Sequence, residues 1–119
     1  MEVVNLYKLS KDECCSDDVV FIGRNSDHYK AKFGFTRAIP ELANPFKIGV
    51  DGERGECVLK YHKWLQQQIK TKNQFIIRAI LSLKETDKLA CFCPDPLKCH
   101  GSVIIRAYNY LKGIDVRDK

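Results

Sequence analysis

Lys88-Leu89-Ala90-Cys91-Phe92-Cys93-Pro94, followed by Cys99-His100-Gly101-Ser102-Val103-Ile104, is the stretch on which the fold turns. Its first half is a short apolar run that ends at a proline, a residue with no N–H to offer a sheet, so it reads as a strand. The second half begins near Cys99 to Ser102 and carries Val103, Ile104, Ala107, Tyr108 and Leu111 at helical spacing. Gly113 is the expected stop signal of that helix. Strand, proline turn and helix in succession are the closing half of a layered α/β unit.

Upstream, Val3-Val4-Asn5-Leu6-Tyr7 and Val19-Val20-Phe21-Ile22 are β-branched and aromatic runs followed by polar or glycine punctuation, and both read as strands. The acidic stretch Lys11 to Asp18 joins them. From Glu53 onward Cys57, Val58, Tyr61, Trp64, Leu65 and Ile69 recur at three- and four-residue steps, which predicts an amphipathic helix of about four turns opened by Asp51-Gly52-Glu53-Arg54. Phe75 to Leu83 is apolar nearly all round and reads as a second, more buried helix, with a strand as the alternative. Between Arg24 and Glu41 the chain reads as one long polar loop, a feature that in a small domain points to function. The expectation is a small Rossmann-like layered α/β domain over 1–119: a short, partly parallel sheet flanked by about three helices. Val19 to Ile22 and Leu89 to Phe92 are its central strands.

A chain of 119 residues with 45% hydrophobic content is sized for one domain with a genuine core. No apolar run reaches the ~18 residues of a membrane span, and Met1 to Ser10 lacks the form of a secretory signal, so no membrane partner and a cytoplasmic location are expected. Six cysteines include the adjacent pair Cys14-Cys15, and Cys57 within a helical pattern, which argues for thiols or metal ligands over a disulfide framework. The net charge of +5 is spread along the chain without a basic block, so it suits anionic ligands without singling out nucleic acid.

Ligands of such sheets sit beyond the carboxyl ends of the strands, and Gly23-Arg24 and Cys93 to Gly101 are placed there by the strand assignment. Cys99 and His100 at a helix start are the candidate catalytic pair. Unpaired N–H groups there favour a thiolate, lowering a cysteine pKa from ~8.5 towards ~3.5 to 7.5, and imidazole titrates near neutrality. Adjacent residues seldom point the same way, so His62 or His28 is an alternative partner for Cys99. The same N–H groups suit phosphate, with Gly101 allowing close approach and Ser102 beside it. Arg24 supplies a fork-shaped cation. Asn44-Pro45-Phe46 is either a turn that packs Phe46 or a presentation of the Asn44 amide to a base or sugar. Cys91, Cys93, Cys99 and His100 are the residue types of a zinc site, although their spacing departs from the usual pairs two to four residues apart.

Taken in order, Val20-Phe21-Ile22-Gly23-Arg24, Asn44-Pro45-Phe46, the helix through Tyr61 and Trp64, and Leu89-Ala90-Cys91-Phe92-Cys93 with Cys99-His100-Gly101 resemble a family of unknown function. It is the domain-of-unknown-function family four-three-two-six of bacteria, phages and large viruses. The resemblance covers nearly the whole chain and implies a compact α/β domain with signature residues gathered on one side. These map onto Gly23, Arg24, Asn44, Pro45, Phe46, Cys91, Cys93, Cys99, His100 and Gly101. It implies no activity, and for a viral chain it implies the host cytoplasm. Family members commonly carry tryptophan-glycine before the Asn-Pro-Phe turn, where this chain has Leu42-Ala43.

The resulting expectation is a domain that binds a nucleotide-like or other phosphorylated small anion between Gly23-Arg24 and the Cys99 to Ser102 helix start, with Cys93 among the contacts. Cys99 and His100 would serve as a hydrolase or transferase pair. The alternative is a zinc-stapled nucleic-acid-binding or protein-interaction module, including a viral inhibitor of a host partner. Substrate and oligomeric state are left open.

Overall fold

The computed structural model describes residues 1–24, 26–46, 49–92 and 99–117, without the side chains of residues 26, 54 and 114–117. Among these residues four strands, β1 (Glu2–Asn5), β2 (Val19–Phe21), β3 (Arg37–Ala38) and β4 (Lys88–Cys91), pair in the order β1-β4-β2-β3. Every pairing among the described residues is parallel, with Val4 opposite Ala90 and Val20 opposite Leu89. The two expected central strands are central. The sheet is parallel throughout these pairings, where a partly parallel one was expected.

Among the described residues five α-helices surround it: α1 (Lys11–Cys14), α2 (Ser26–Phe33), α3 (Arg54–Lys70), α4 (Gln74–Leu81) and α5 (His100–Arg117). Strand alternation sends Val20, Leu89 and Cys91 to one face, where Tyr61 and Leu65 of α3, Ile76 and Ile80 of α4, and Val103, Ile104 and Tyr108 of α5 bury them. Val19, Phe21 and Ala90 point the other way and meet Leu6, Cys14 and Phe35, with Tyr29 and Phe33 of α2 packed alongside. The result is a three-layer sandwich with α3, α4 and α5 on one face and α1 and α2 on the other.

Several boundaries differ from the sequence reading. The segment from Arg24 to Glu41 is not a long loop. It contains α2, β3 and the start of a 3-10 turn over Pro40–Leu42. Helix α2 offers the core only two aromatic residues four apart, and it stops where Gly34 takes a positive φ of 80° and donates its N–H to the Lys30 carbonyl at 2.8 Å. The first strand ends at Asn5, whose side chain caps a 3-10 turn over Leu6–Lys8. Helix α1 begins with a reciprocal capping box, Ser10 Oγ accepting from Glu13 N–H at 3.2 Å and the Glu13 carboxylate accepting from Ser10 N–H at 3.1 Å. Gly113 does not stop α5, which continues to Arg117. In α4 the apolar residues are not all buried, because Ile76 and Ile80 face the sheet while Phe75 is 80% exposed.

Two interactions fix the sheet to its surroundings. Asp87, 1% exposed, receives both guanidinium nitrogens of Arg37 at 2.7 and 3.0 Å and the Lys84 N–H at 2.8 Å. The pair ties the entrance of β4 to β3. Burial alone would raise the Asp87 carboxyl, but the bonds from Arg37 and Lys84 outweigh it and hold the group below its ordinary value. Gly101 sets how closely α5 lies on the sheet. A Cβ added there would stand 2.8 Å from Val3 Cγ2 and 3.1 Å from Ile22 Cδ1.

Asp87→Asn is expected to cost about 1.5–3 kcal/mol at neutral pH, the range for a hydrogen bond to a charged group. A carboxyl lowered on folding contributes stability above its unfolded value of ~3.9 and loses it as pH falls through the folded value. Denaturant melts of both proteins should therefore differ at pH 7, and the difference should begin to shrink only as pH falls below about 4. Gly101→Ala is expected to destabilise by about 1–3 kcal/mol through overpacking. Gly113→Ala, where an added Cβ meets nothing within 4 Å, should stabilise by about 0.5–1 kcal/mol. Equal melting shifts for the two substitutions would contradict the packing argument.

Candidate thiol and imidazole site at the sheet edge

At the carboxyl edge of the sheet the chain leaves adjacent strands in opposite directions. After β2 it passes to α2, packed on the Phe21 face, and after β4 it reaches α5, packed on the Val20 face. A position where neighbouring strands send their loops to opposite sides is the topological switch point at which parallel sheets bind ligands. The predicted site residues Gly23, Arg24, Cys91, Cys99, His100, Gly101 and Ser102 lie at this end.

Cys99 is the residue before α5, and its sulfur caps the helix. Sγ accepts the Gly101 N–H at 3.4 Å, while the Cys99 carbonyl accepts the Ser102 N–H at 3.1 Å and the Ser102 hydroxyl at 2.8 Å. His100, the first helical residue, places Nε2 at 2.9 Å from the Ile22 carbonyl. A carbonyl oxygen only accepts, so Nε2 carries the proton, and in the neutral ring Nδ1 presents its lone pair. Nδ1 stands 3.7 Å from Cys99 Sγ. Adjacent residues do reach one point here, because one is a non-helical cap and the other begins the helix. The alternative partners lie elsewhere, His28 on α2 against Tyr29 at 4.9 Å between ring centroids, and His62 on α3.

From the strand side Cys91 brings Sγ to 3.0 Å from Cys99 Sγ. The cluster is enclosed: Cys99 is 0%, Cys91 3% and His100 7% exposed. Tyr61 of α3 closes it from above, its ring edge-on to the His100 imidazole at 5.1 Å, and its hydroxyl donates to the Leu42 carbonyl at 2.7 Å. Burial, with Cys99 adding to it, pushes the Tyr61 phenol far up, so it stays a neutral donor. Tyr61 and the Ile22 carbonyl are the parts of this cluster that sequence reasoning missed. Tyr61 sat on the helical stripe as ordinary core, and a backbone carbonyl leaves no residue-type signal.

The other predicted residues divide by location. Gly23 makes room for a neighbour, since an added Cβ would fall 2.6 Å from the Phe21 ring, which stacks on Phe35 at 4.7 Å. Arg24 is exposed beside it. Asn44 forms the turn reading of its segment: its Oδ1 accepts the Phe46 N–H at 2.9 Å, and its Nδ2 reaches the Cys57 carbonyl on α3 at 3.5 Å. Pro45 is exposed, and Phe46 packs against the α3, α4 and α5 core. The glycine at 101 is accounted for by Val3 and Ile22 rather than by a ligand. Cys93 lies outside the described residues.

A zinc ion at ~2.3 Å from each sulfur holds them roughly 3.8 Å apart in a tetrahedron. The 3.0 Å contact is tighter, and among the described residues no three metal-binding side chains already form a cage. The donor types nevertheless suit such an ion, and a ring whose second nitrogen is anchored to a carbonyl is how histidine ligands are oriented. No helix among the described residues is long and apolar enough to cross a membrane.

No curated protein and no solved structure matches the chain. The model of one protein family, described as Domain of unknown function (DUF4326), matches residues 4–110. That span contains the β2 end, the Asn44 turn, Tyr61 and the whole Cys91, Cys99 and His100 cluster, and the chain belongs to this family of unknown function.

Proposed function

We propose that the domain binds a small phosphorylated, nucleotide-like anion at the carboxyl edge of the sheet, between Gly23-Arg24 and the start of α5. The carrying observation is the 2.9 Å bond from His100 Nε2 to the Ile22 carbonyl. It joins the beginnings of the two segments that part at the switch point, beside the Tyr61 contact to Leu42. Ligands of open parallel sheets collect at such a point. Among the described residues there, Arg24 is an exposed cation and suits a phosphate fork to fork. Use of Cys99 as a hydrolase or transferase nucleophile needs a substrate to reach its sulfur, and that sulfur is buried. In this reading Cys99 and His100 position the edge, and binding is proposed rather than turnover.

Thermal melts with a panel of nucleoside mono-, di- and triphosphates and sugar phosphates test this. At least one is expected to raise the melting temperature at millimolar concentration. Arg24→Ala should weaken that ligand roughly tenfold, about 1.4 kcal/mol. A panel without any shift, or an Arg24→Ala protein with unaltered affinity, sinks the proposal.

A second reading is supported by a different observation, the convergence of Cys91 Sγ, Cys99 Sγ and the Nδ1 lone pair of His100. In it these residues hold zinc as a structural staple of a nucleic-acid-binding or protein-interaction module. Cys93 is the further ligand by residue type, and its position is undescribed. Protein purified without chelator should then carry about one equivalent of zinc, and Cys99→Ser should lose most of it. Less than about half an equivalent in the wild-type protein removes this reading.

A further inference from the structure

The described thiols differ sharply in their surroundings. Cys57 donates its S–H to the Gly52 carbonyl at 3.5 Å within the opening of α3. Cys14 is 1% exposed under α1, and burial pushes its thiol up. Cys15 is exposed and lies next to Cys14 in the chain. Cys91 and Cys99 alone among the described thiols are known to sit within a short reach of each other, 3.0 Å between sulfurs. A disulfide needs ~2.05 Å, so the sulfurs must close by roughly 1 Å.

Both backbones are held from several sides. Cys91 is paired with Asn5 of β1 at the end of the central strand β4. Cys99 is fixed by its capping bonds and by the neighbouring anchor from His100 to Ile22. The sulfurs are therefore kept near bonding distance by the fold itself. Cys99 Sγ accepts a helix-start N–H and faces the Nδ1 of His100 at 3.7 Å, a nitrogen placed to take its proton.

We propose that Cys91 and Cys99 form a redox site that converts between a dithiol and an intramolecular disulfide, with a small hydroperoxide as the oxidant. The Cys99 proton passes to His100 Nδ1 and the sulfur attacks the peroxide oxygen. The O–O bond breaks, the departing oxygen takes the proton from the imidazolium as water, and Cys99 becomes a sulfenic acid. Cys91 sulfur then attacks Cys99 Sγ. The S–S bond forms, the S–O bond breaks, and the hydroxyl leaves with the Cys91 proton as a second water. Two thiols lose two electrons and two protons, and one hydrogen peroxide becomes two waters. Because the pair is enclosed, the site selects small oxidants, and the disulfide it forms is shielded from bulky thiol reductants.

The test is peptide mapping of the full chain, freed of metal by chelator and treated with hydrogen peroxide under native conditions. The expected product is two hydrogen atoms lighter and gives a Cys91–Cys99 cross-linked peptide, while a bulky maleimide applied before oxidation labels Cys15 and spares both. A Cys91→Ser protein oxidised under native conditions and then unfolded in dimedone should carry the dimedone adduct of a sulfenic acid at Cys99. Mapping of the wild-type protein stands by itself should that variant misfold. Recovery of both residues as thiols, their over-oxidation without a cross-link, or a disulfide between other cysteines overturns the proposal. Since metal has been removed, such a result would leave the anion and zinc readings untouched.

Discussion

The bond from the His100 imidazole to the Ile22 carbonyl is the constraint on which the arrangement at the sheet edge rests. It satisfies a backbone acceptor just past the end of β2, where the parallel ladder no longer supplies a partner. It also fixes the ring, so that the other nitrogen faces the sulfur of the preceding residue. A buried polar atom without a partner costs about 1–3 kcal/mol. One side chain thus meets a structural need of the strand and turns its second ring nitrogen toward the Cys99 sulfur.

The helix start is handled in an uncommon way. Serine, threonine, aspartate and asparagine are the usual caps, and α1 and α4 use Ser10 and Asn73 in that manner. Helix α5 uses the sulfur of Cys99. This weaker, larger acceptor stands beside Cys91 Sγ and His100 Nδ1. The glycine that follows lets the helix settle onto Val3 and Ile22, which draws the cap into the interior.

Much of the architecture could be read from residue order. The β2 and β4 runs, the α3 stripe and the strand-turn-helix at the end are strongly patterned, and their assignment held to within two residues at most ends. The tract from Arg24 to Glu41 could not be read, because α2 shows the core only Tyr29 and Phe33 amid lysines and an aspartate, and β3 is two residues long. Its cue was Gly34, an ordinary helix stop. At the site, residue types located Cys91, Cys99 and His100, but only the non-helical turn at Cys99 explains how neighbours in the chain share one point. The lengths of polar contacts and the part played by Tyr61 depend on tertiary packing that no local pattern encodes.

The strand order has a consequence for synthesis. The N-terminal strand β1 pairs with β4, which is contributed by residues 88–91, and β4 also separates β1 from β2. On the ribosome the first strand therefore emerges long before its neighbour exists, with Val3 and Val4 waiting for most of the chain to follow. Pairing across so many residues is slow to nucleate. The nascent chain cannot assemble its sheet progressively from the first residue onward, and completion of the fold is deferred until the central strand has cleared the exit tunnel.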